Sequence, residues 1–148
     1  TLSSSSAASD VYKRQGWVEN MAAAIGNDKH FRWFDSGDLQ SVDMLLKIFE
    51  VARLTPGTQH WLATRERSFV RQAAVKSPVP DNMVIRVSAT FPDVPVKPIN
   101  IDGINYANVH RDKPAVGHTC QAPQQGGQCG TCRVCWNRDV QVVSYHTH

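Results

Sequence analysis

The chain has 148 residues, 41% of them hydrophobic and 20% charged, and a formal net charge of +3. That length fits one domain that buries roughly two thirds of its unfolded surface. The small, dispersed charge gives no strong nucleic-acid signal. No apolar run approaches the ~20 residues of a membrane span, so a soluble cytoplasmic protein without a membrane partner is expected.

Residues 1–15 differ in character from the rest of the chain. Ser3 to Ser6 lead into Ala-Ala-Ser-Asp with no apolar period, a composition typical of disorder. The string SSSSAASDVYKRQ also resembles translated library-adapter read-through of metagenomic origin, so 1–15 read as a disordered or non-native tail. On that reading the chain is a fragment, and the natural protein begins further upstream.

From Gly16 the pattern changes. Trp17, Val18, Met21, Ala22 and Ile25 share one helical face, and Gly26-Asn27 is a stop signal. Phe31 to Phe34 read as a strand that ends in the polar turn Asp35-Ser36-Gly37-Asp38. Ser41 can cap a second helix with Asp43 in its first turn, and Val42, Leu45, Leu46, Phe49 and Ala52 form its apolar stripe. Thr55-Pro56-Gly57 ends it. Next come a strand over 60–64, a helix over about 68–76 and a strand over 83–89. Strands and helices thus alternate over 16–92, which predicts βα units with parallel strands in an α/β fold, like part of a TIM barrel. After Phe91-Pro92 the periodicity stops. Pro92, Pro95 and Pro98 punctuate what reads as an extended loop through Asn108. A last short strand is expected near Val140–Tyr145. Residues 93–148 then form a Pro-rich loop and an irregular Cys-rich lobe of the same domain.

All four cysteines fall in one window, Cys120, Cys129, Cys132 and Cys135, spaced C-x8-C-x2-C-x2-C. Thiolate ligands must bring their sulfurs to about 2.3 Å from a zinc ion. On a helix Cys129, Cys132 and Cys135 would spread over ~9 Å of axis, too far for one centre. Gly126, Gly127, Gly130 and Thr131 favour an irregular loop that turns all three inward. Pro123 and the paired glycines allow Cys120 to return as a fourth ligand. Two consecutive C-x2-C steps with one remote cysteine resemble iron–sulfur ligation. Structural zinc, usually held by two separated knuckles, is the alternative cofactor, and disulfides are a third possibility. His110, His118, His146 and His148 flank the window, as ligands or as packing groups.

Chemistry in parallel α/β sheets gathers at the carboxyl ends of the strands. Here those ends carry Asp35, Ser36 and Asp38, then Thr64, Arg65 and Glu66, then Ser88 and Thr90. Arg65 can hold a substrate carboxylate or phosphate, and Asp35 or Asp38 can act as a base or an ion ligand. Catalytic candidates are therefore Asp35, Asp38 and Arg65, and a divalent-metal hydrolase would add Glu66. The bland reading is that Asp38 and Ser36 cap a helix and Arg65 pairs with a neighbouring carboxylate. Arg32 and Arg86 lie inside strands, and an inward arginine there needs a partner such as Asp35.

Five stretches together carry a resemblance: Phe31-Arg-Trp-Phe-Asp-Ser-Gly-Asp-Leu-Gln40, Trp61-Leu-Ala-Thr-Arg-Glu66, Ile85-Arg-Val-Ser-Ala89, His118 through Trp136, and Val143-Ser-Tyr-His-Thr-His148. Over residues 16–148 the chain resembles the C-terminal portion of the phage gene product 88 family. The resemblance implies a phage or prophage protein in a bacterial host cell, with further cysteines upstream. It also implies similarity to radical-SAM-like partial barrels, whose first βα loop holds a 4Fe–4S cluster. The C-x3-C-x2-C loop of those proteins is absent here, and Asp35-Ser-Gly-Asp38 is only a loose analogue of their S-adenosylmethionine strand. The four cysteines would then hold an auxiliary cluster or a structural metal. The partner would be a small molecule or a phage or host protein, and a non-catalytic accessory role with structural zinc is the competing expectation.

Overall fold

The computed structural model describes residues 11–34, 37–89, 91–97, 99, 101, 103–112, 114–115, 117–119, 134–137 and 140–146. Three helices, α1 (Trp17–Ile25), α2 (Val42–Leu54) and α3 (Arg67–Lys76), accompany six strands: β1 (His30–Trp33), β2 (Gln59–Thr64), β3 (Met83–Ser88), β4 (Ile104–His110), β5 (His118–Thr119) and β6 (Val142–His146). All neighbouring strands are parallel, in the order β1-β2-β3-β4-β6-β5, and the sheet is open. The α/β class expected from the alternation of strand and helix is what folds.

Local chemistry sets the helix ends. Ser41 has an extended backbone and its Oγ accepts from Met44 N at 3.0 Å, an N-cap that satisfies one of the unpaired first-turn amides. Asp43 stands in the same turn, where the helix dipole favours a carboxylate. Gly26 ends α1 at φ 59°, and its N–H returns to Ala22 O.

Register assigns the two faces, because paired residues in a parallel sheet point the same way. Trp33, Leu62, Ile85 and Ile104 are successive partners across β1 to β4, and Thr64, Val87, Tyr106 and Val142 form another such row. These rows meet Met21, Ile25, Leu45, Ile48, Phe49, Ala52, Val70 and Ala73 of the helices in one core. The opposite face carries the rows Arg32-Trp61-Val84 and Ala63-Arg86-Asn105. Met83 through Val87 are all buried, as expected for a central parallel strand covered on both sides.

His60 faces the helices and is fully buried. Trp33 Nε1 donates to its Nδ1 at 3.0 Å, so the ring proton sits on Nε2. That proton goes to Thr55 Oγ1 at 2.8 Å, and Thr55 Oγ1 donates to Val51 O at 2.9 Å. Burial pushes the pKa of His60 down to about 4, because the imidazolium would lose its hydration.

Two features differ from the sequence expectations. Tyr12 falls in the segment read as a tail, yet it is 4% exposed. Its hydroxyl lies 2.8 Å from Ser41 Oγ, and its carbonyl accepts from Lys47 Nζ at 2.9 Å. Residues 1–10 lie outside the described residues. The stretch through Asn108 read as a loop, but Ile104–His110 is a full strand. Asn105 and Asn108 break its apolar alternation, and both are buried because they hydrogen-bond the flanking loops. Asn105 Nδ2 donates to Val140 O at 3.1 Å, and Asn108 Oδ1 accepts from Val96 N at 2.9 Å.

Candidate functional site

At the carboxyl ends of β1 and β2 the structure gathers Asp38, Thr64 and Arg65. Asp38 Oδ1 accepts from Leu39 N at 2.7 Å and from the Thr64 hydroxyl, and Oδ2 accepts from Arg65 N at 3.0 Å. Thr64 Oγ1 accepts in turn from Glu66 N at 3.0 Å. The carboxylate therefore clamps the loop after β1 to the loop after β2, with three donors on its two oxygens. Arg65 is exposed, and its guanidinium makes no hydrogen bond or ion pair among the described residues. Asp35, Ser36 and Thr90 lie outside the described residues, so the carboxylate row read from the sequence is represented there by Asp38 and Glu66.

The face away from the helices has a different character. Cys135 belongs to a short 3-10 turn, Val134–Trp136, in the connection between β5 and β6 that carries all four cysteines. Trp136 anchors this turn to the sheet. Its ring lies 5.3 Å from that of Trp61 on β2 and 5.4 Å, edge to face, from His30 on β1. The Arg32 guanidinium covers the Trp61 ring at 4.5 Å from its centroid. Trp61 is 7% exposed, and its buried Nε1–H makes no hydrogen bond among the described residues.

Arg86 is the second anchor. It is the largest fully buried side chain among the described residues. Its Nε donates to Cys135 O at 3.1 Å and its Nη2 to Asn137 O at 3.1 Å. Its Nη1 reaches both Tyr106 O at 3.2 Å and Gln141 O at 3.3 Å. One guanidinium thus holds three carbonyls of the segment that returns to β6. Burial pushes its pKa below the ordinary arginine value, and the Cys135 thiol and Tyr145 hydroxyl nearby oppose that shift. Arginine stays charged under such a shift, so this is a buried cation whose described partners are main-chain oxygens. The half-buried Cys135 completes the group: its Sγ lies 2.7 Å from Tyr145 OH on β6.

Of the four cysteines, Cys120, Cys129 and Cys132 lie outside the described residues, and no group of three or more His, Cys, Asp or Glu side chains converges among the residues that are described. No hydrogen bond or ion pair joins Asp38 or Arg65 to Cys135 among the described residues. His110 Nδ1 lies 2.7 Å from Ser144 Oγ, and His118 is exposed in β5. His148 is not among the described residues. Sequence reading marked Arg86 as an inward arginine in want of a partner but missed Tyr145, Trp61 and Trp136. The one available signal was a lone charge in the apolar run of β3. No helix among the described residues is long and apolar enough to cross a membrane.

Comparison with known proteins returns one family. No curated protein and no solved structure matches the chain. The family model for gene product 88 matches residues 5–138, which takes in the helices, β1 to β5 and the whole cysteine window. The chain belongs to the phage gene product 88 family.

Proposed function

We propose that this protein holds a thiolate-ligated metal centre through Cys120, Cys129, Cys132 and Cys135, with an iron–sulfur cluster as the resident group. The observation that carries the reading is Arg86. Four thiolates concentrate negative charge, and a buried cation fastened to the carbonyl of Cys135 offsets it. The donor set fits as well: the buried Nε1–H of Trp61, beneath Trp136, is a hydrogen-bond donor on the same face. Hydrogen bonds from such groups to sulfur are a normal part of an iron–sulfur site.

When bound, an iron–sulfur group would supply one-electron redox chemistry. Arg86 would hold the carboxyl-terminal shoulder of the ligand segment in place and neutralise part of its charge. Trp61 and Trp136 would keep water from that side. An open run of parallel βα units is also compatible with a partial barrel of the radical-SAM kind, in which the present cysteines would serve an auxiliary cluster. Substrate anions would then meet the exposed Arg65 at the strand ends.

The test is metal analysis with an absorption spectrum of anaerobically purified protein. Iron and sulfide with a broad band near about 400 nm support the reading. One zinc per chain and no colour would replace it with a structural zinc site in a non-catalytic accessory protein, whose C-terminal lobe unfolds on chelation. Protein free of both metals would remove it.

A further inference from the structure

We infer that the outward face of α3 is a contact surface for the phosphate backbone of a nucleic-acid duplex, with Arg67, Arg71, Lys76 and Lys97 as its cations. The inference stands apart from the metal reading and uses none of its residues.

The packed helices differ in charge. On α2, Asp43 pairs with Lys47 at 3.8 Å, Glu50 is exposed, and Arg53 donates to Ser77 Oγ and Pro78 O at 2.7 Å each. Acid and base balance there. α3 carries Arg67, Arg71 and Lys76 and no acid. Val70 and Ala73 are buried in the core, which turns Arg67, Ser68, Arg71, Gln72, Val75 and Lys76 outward over the other half of the helix. Arg67 Nη1 donates to Lys97 O at 2.8 Å, which sets a fourth basic residue beside this face. Arg71, Lys76 and Lys97 are exposed, and their side chains make no hydrogen bond or ion pair among the described residues. Glu66, just ahead of the helix, forms no ion pair with them. The net charge of +3 conceals this surplus, because acids on other elements cancel most of it.

Three features of the face select the partner. Ser68 and Gln72 lie between the cations, and such side chains commonly bond phosphate oxygens. Val75, 86% exposed, is a lone apolar side chain there, so a protein partner would find no anchor cluster to bury. Phe69, the aromatic residue of α3, packs against the core, so unpaired bases have no ring on this face to stack on. What remains is positive charge at steps of ~6 and ~7.5 Å along the helix, suited to the closely spaced phosphates of a duplex.

The test is fluorescence anisotropy of the full chain with a labelled DNA duplex of mixed sequence, about 20 base pairs long, in salt from about 50 to about 200 mM. Binding is expected at low salt, with log affinity falling against log salt at a slope of about −3 to −4, roughly 0.9 for each phosphate neutralised. Arg71→Gln combined with Lys76→Gln is expected to weaken binding at least about tenfold at low salt and to flatten the slope by about 2. Val75→Glu removes no cation but sets a carboxylate in the middle of the face, and is expected to weaken binding as well. Both changes are at exposed positions, and an unchanged urea midpoint shows that the fold is kept. Lys29→Gln, which removes an exposed cation ahead of β1, is expected to leave affinity within about twofold. No duplex binding at the lowest salt overturns the inference. So does binding that the α3 variants leave unchanged, or that Lys29→Gln weakens equally. Tighter binding of the corresponding single strand, or of polyglutamate at the same salt, overturns it in favour of that partner.

Discussion

His60 gives the sharpest quantitative test of the folded core. Its pKa is about 4 in the fold, against 6.5 for an ordinary histidine. The unfolded chain therefore binds a proton more readily than the folded one between those values, and stability falls as pH drops from 6.5 toward 4. Above 6.5 both states are neutral at this ring and the effect vanishes. Below 4 both are protonated and the loss levels off at about 3 kcal/mol. Between pH 7 and pH 5 the loss attributable to this ring is about 2 kcal/mol. The perturbation is His60→Gln, which keeps an acceptor for Trp33 Nε1 and a donor for Thr55 but cannot titrate. Its stability at pH 7 will be lower than wild type, because an amide does not reproduce the ring's packing among Phe31, Trp33 and Thr55. The informative quantity is the difference between the two proteins as pH falls, since every other group titrates alike in both. Urea unfolding at pH 7, 6 and 5 should find the gap closing by about 2 kcal/mol. Parallel stability curves for the two proteins would refute the reasoning and mean that His60 is hydrated or protonated in the fold.

Arg86→Met should cost about 3 kcal/mol, because four carbonyls, that of Tyr106 buried and those of Cys135, Asn137 and Gln141 part-buried, lose a donor together. Hydrogen exchange would find the loss of protection concentrated at 134–137 and 140–146, with α2 retained; uniform loss across the chain would count against a local staple. Gly117 has φ +89°, and a Cβ there would lie 2.5 Å from Val142 O, so Gly117→Ala should cost about 1–3 kcal/mol in thermal or urea unfolding and loosen β5 from β6 first. Asp38→Asn presents an amide where Arg65 N–H or Leu39 N–H needs an acceptor, and should lower stability by about 2 kcal/mol in urea. An unchanged midpoint would mean that the clamp carries little stability and would leave Asp38 free for chemistry.

What could be read from the sequence was local. The cap at Ser41, the stop at Gly26 and the strand Met83–Ser88 depend on residues within a few positions of each other, so their signals survive without the fold. β4 was illegible because Asn105 and Asn108 point inward, and their acceptability depends on Val140 and Val96, residues from distant loops. Sheet order was equally hidden, since nothing in the spacing says that β6 inserts between β4 and β5. The cysteine window announced itself through clustering alone. The groups around Cys135 did not, because Arg86 lies 49 positions away on β3 and Tyr145 lies 10 positions away on β6. His60 read as the start of a strand; only Trp33, 27 positions earlier, reveals it as a buried, singly protonated ring.

Because β5 and β6 run side by side in the same direction, the chain leaving Thr119 must travel back along the sheet before it enters at Val142. The corresponding return journeys from β1 to β2 and from β2 to β3 are made by α2 and α3, which are held by their own internal hydrogen bonds. At the end of this one, the described contacts that hold it down come from the sheet beneath, through the guanidinium on β3 and the tilted contact of Trp136 with Trp61 of β2. Loosening those two fastenings would uncover Trp61 and Val84 to water. The same event would offer a greasy strip to other copies of the chain, so self-association is the expected companion of any damage to this region.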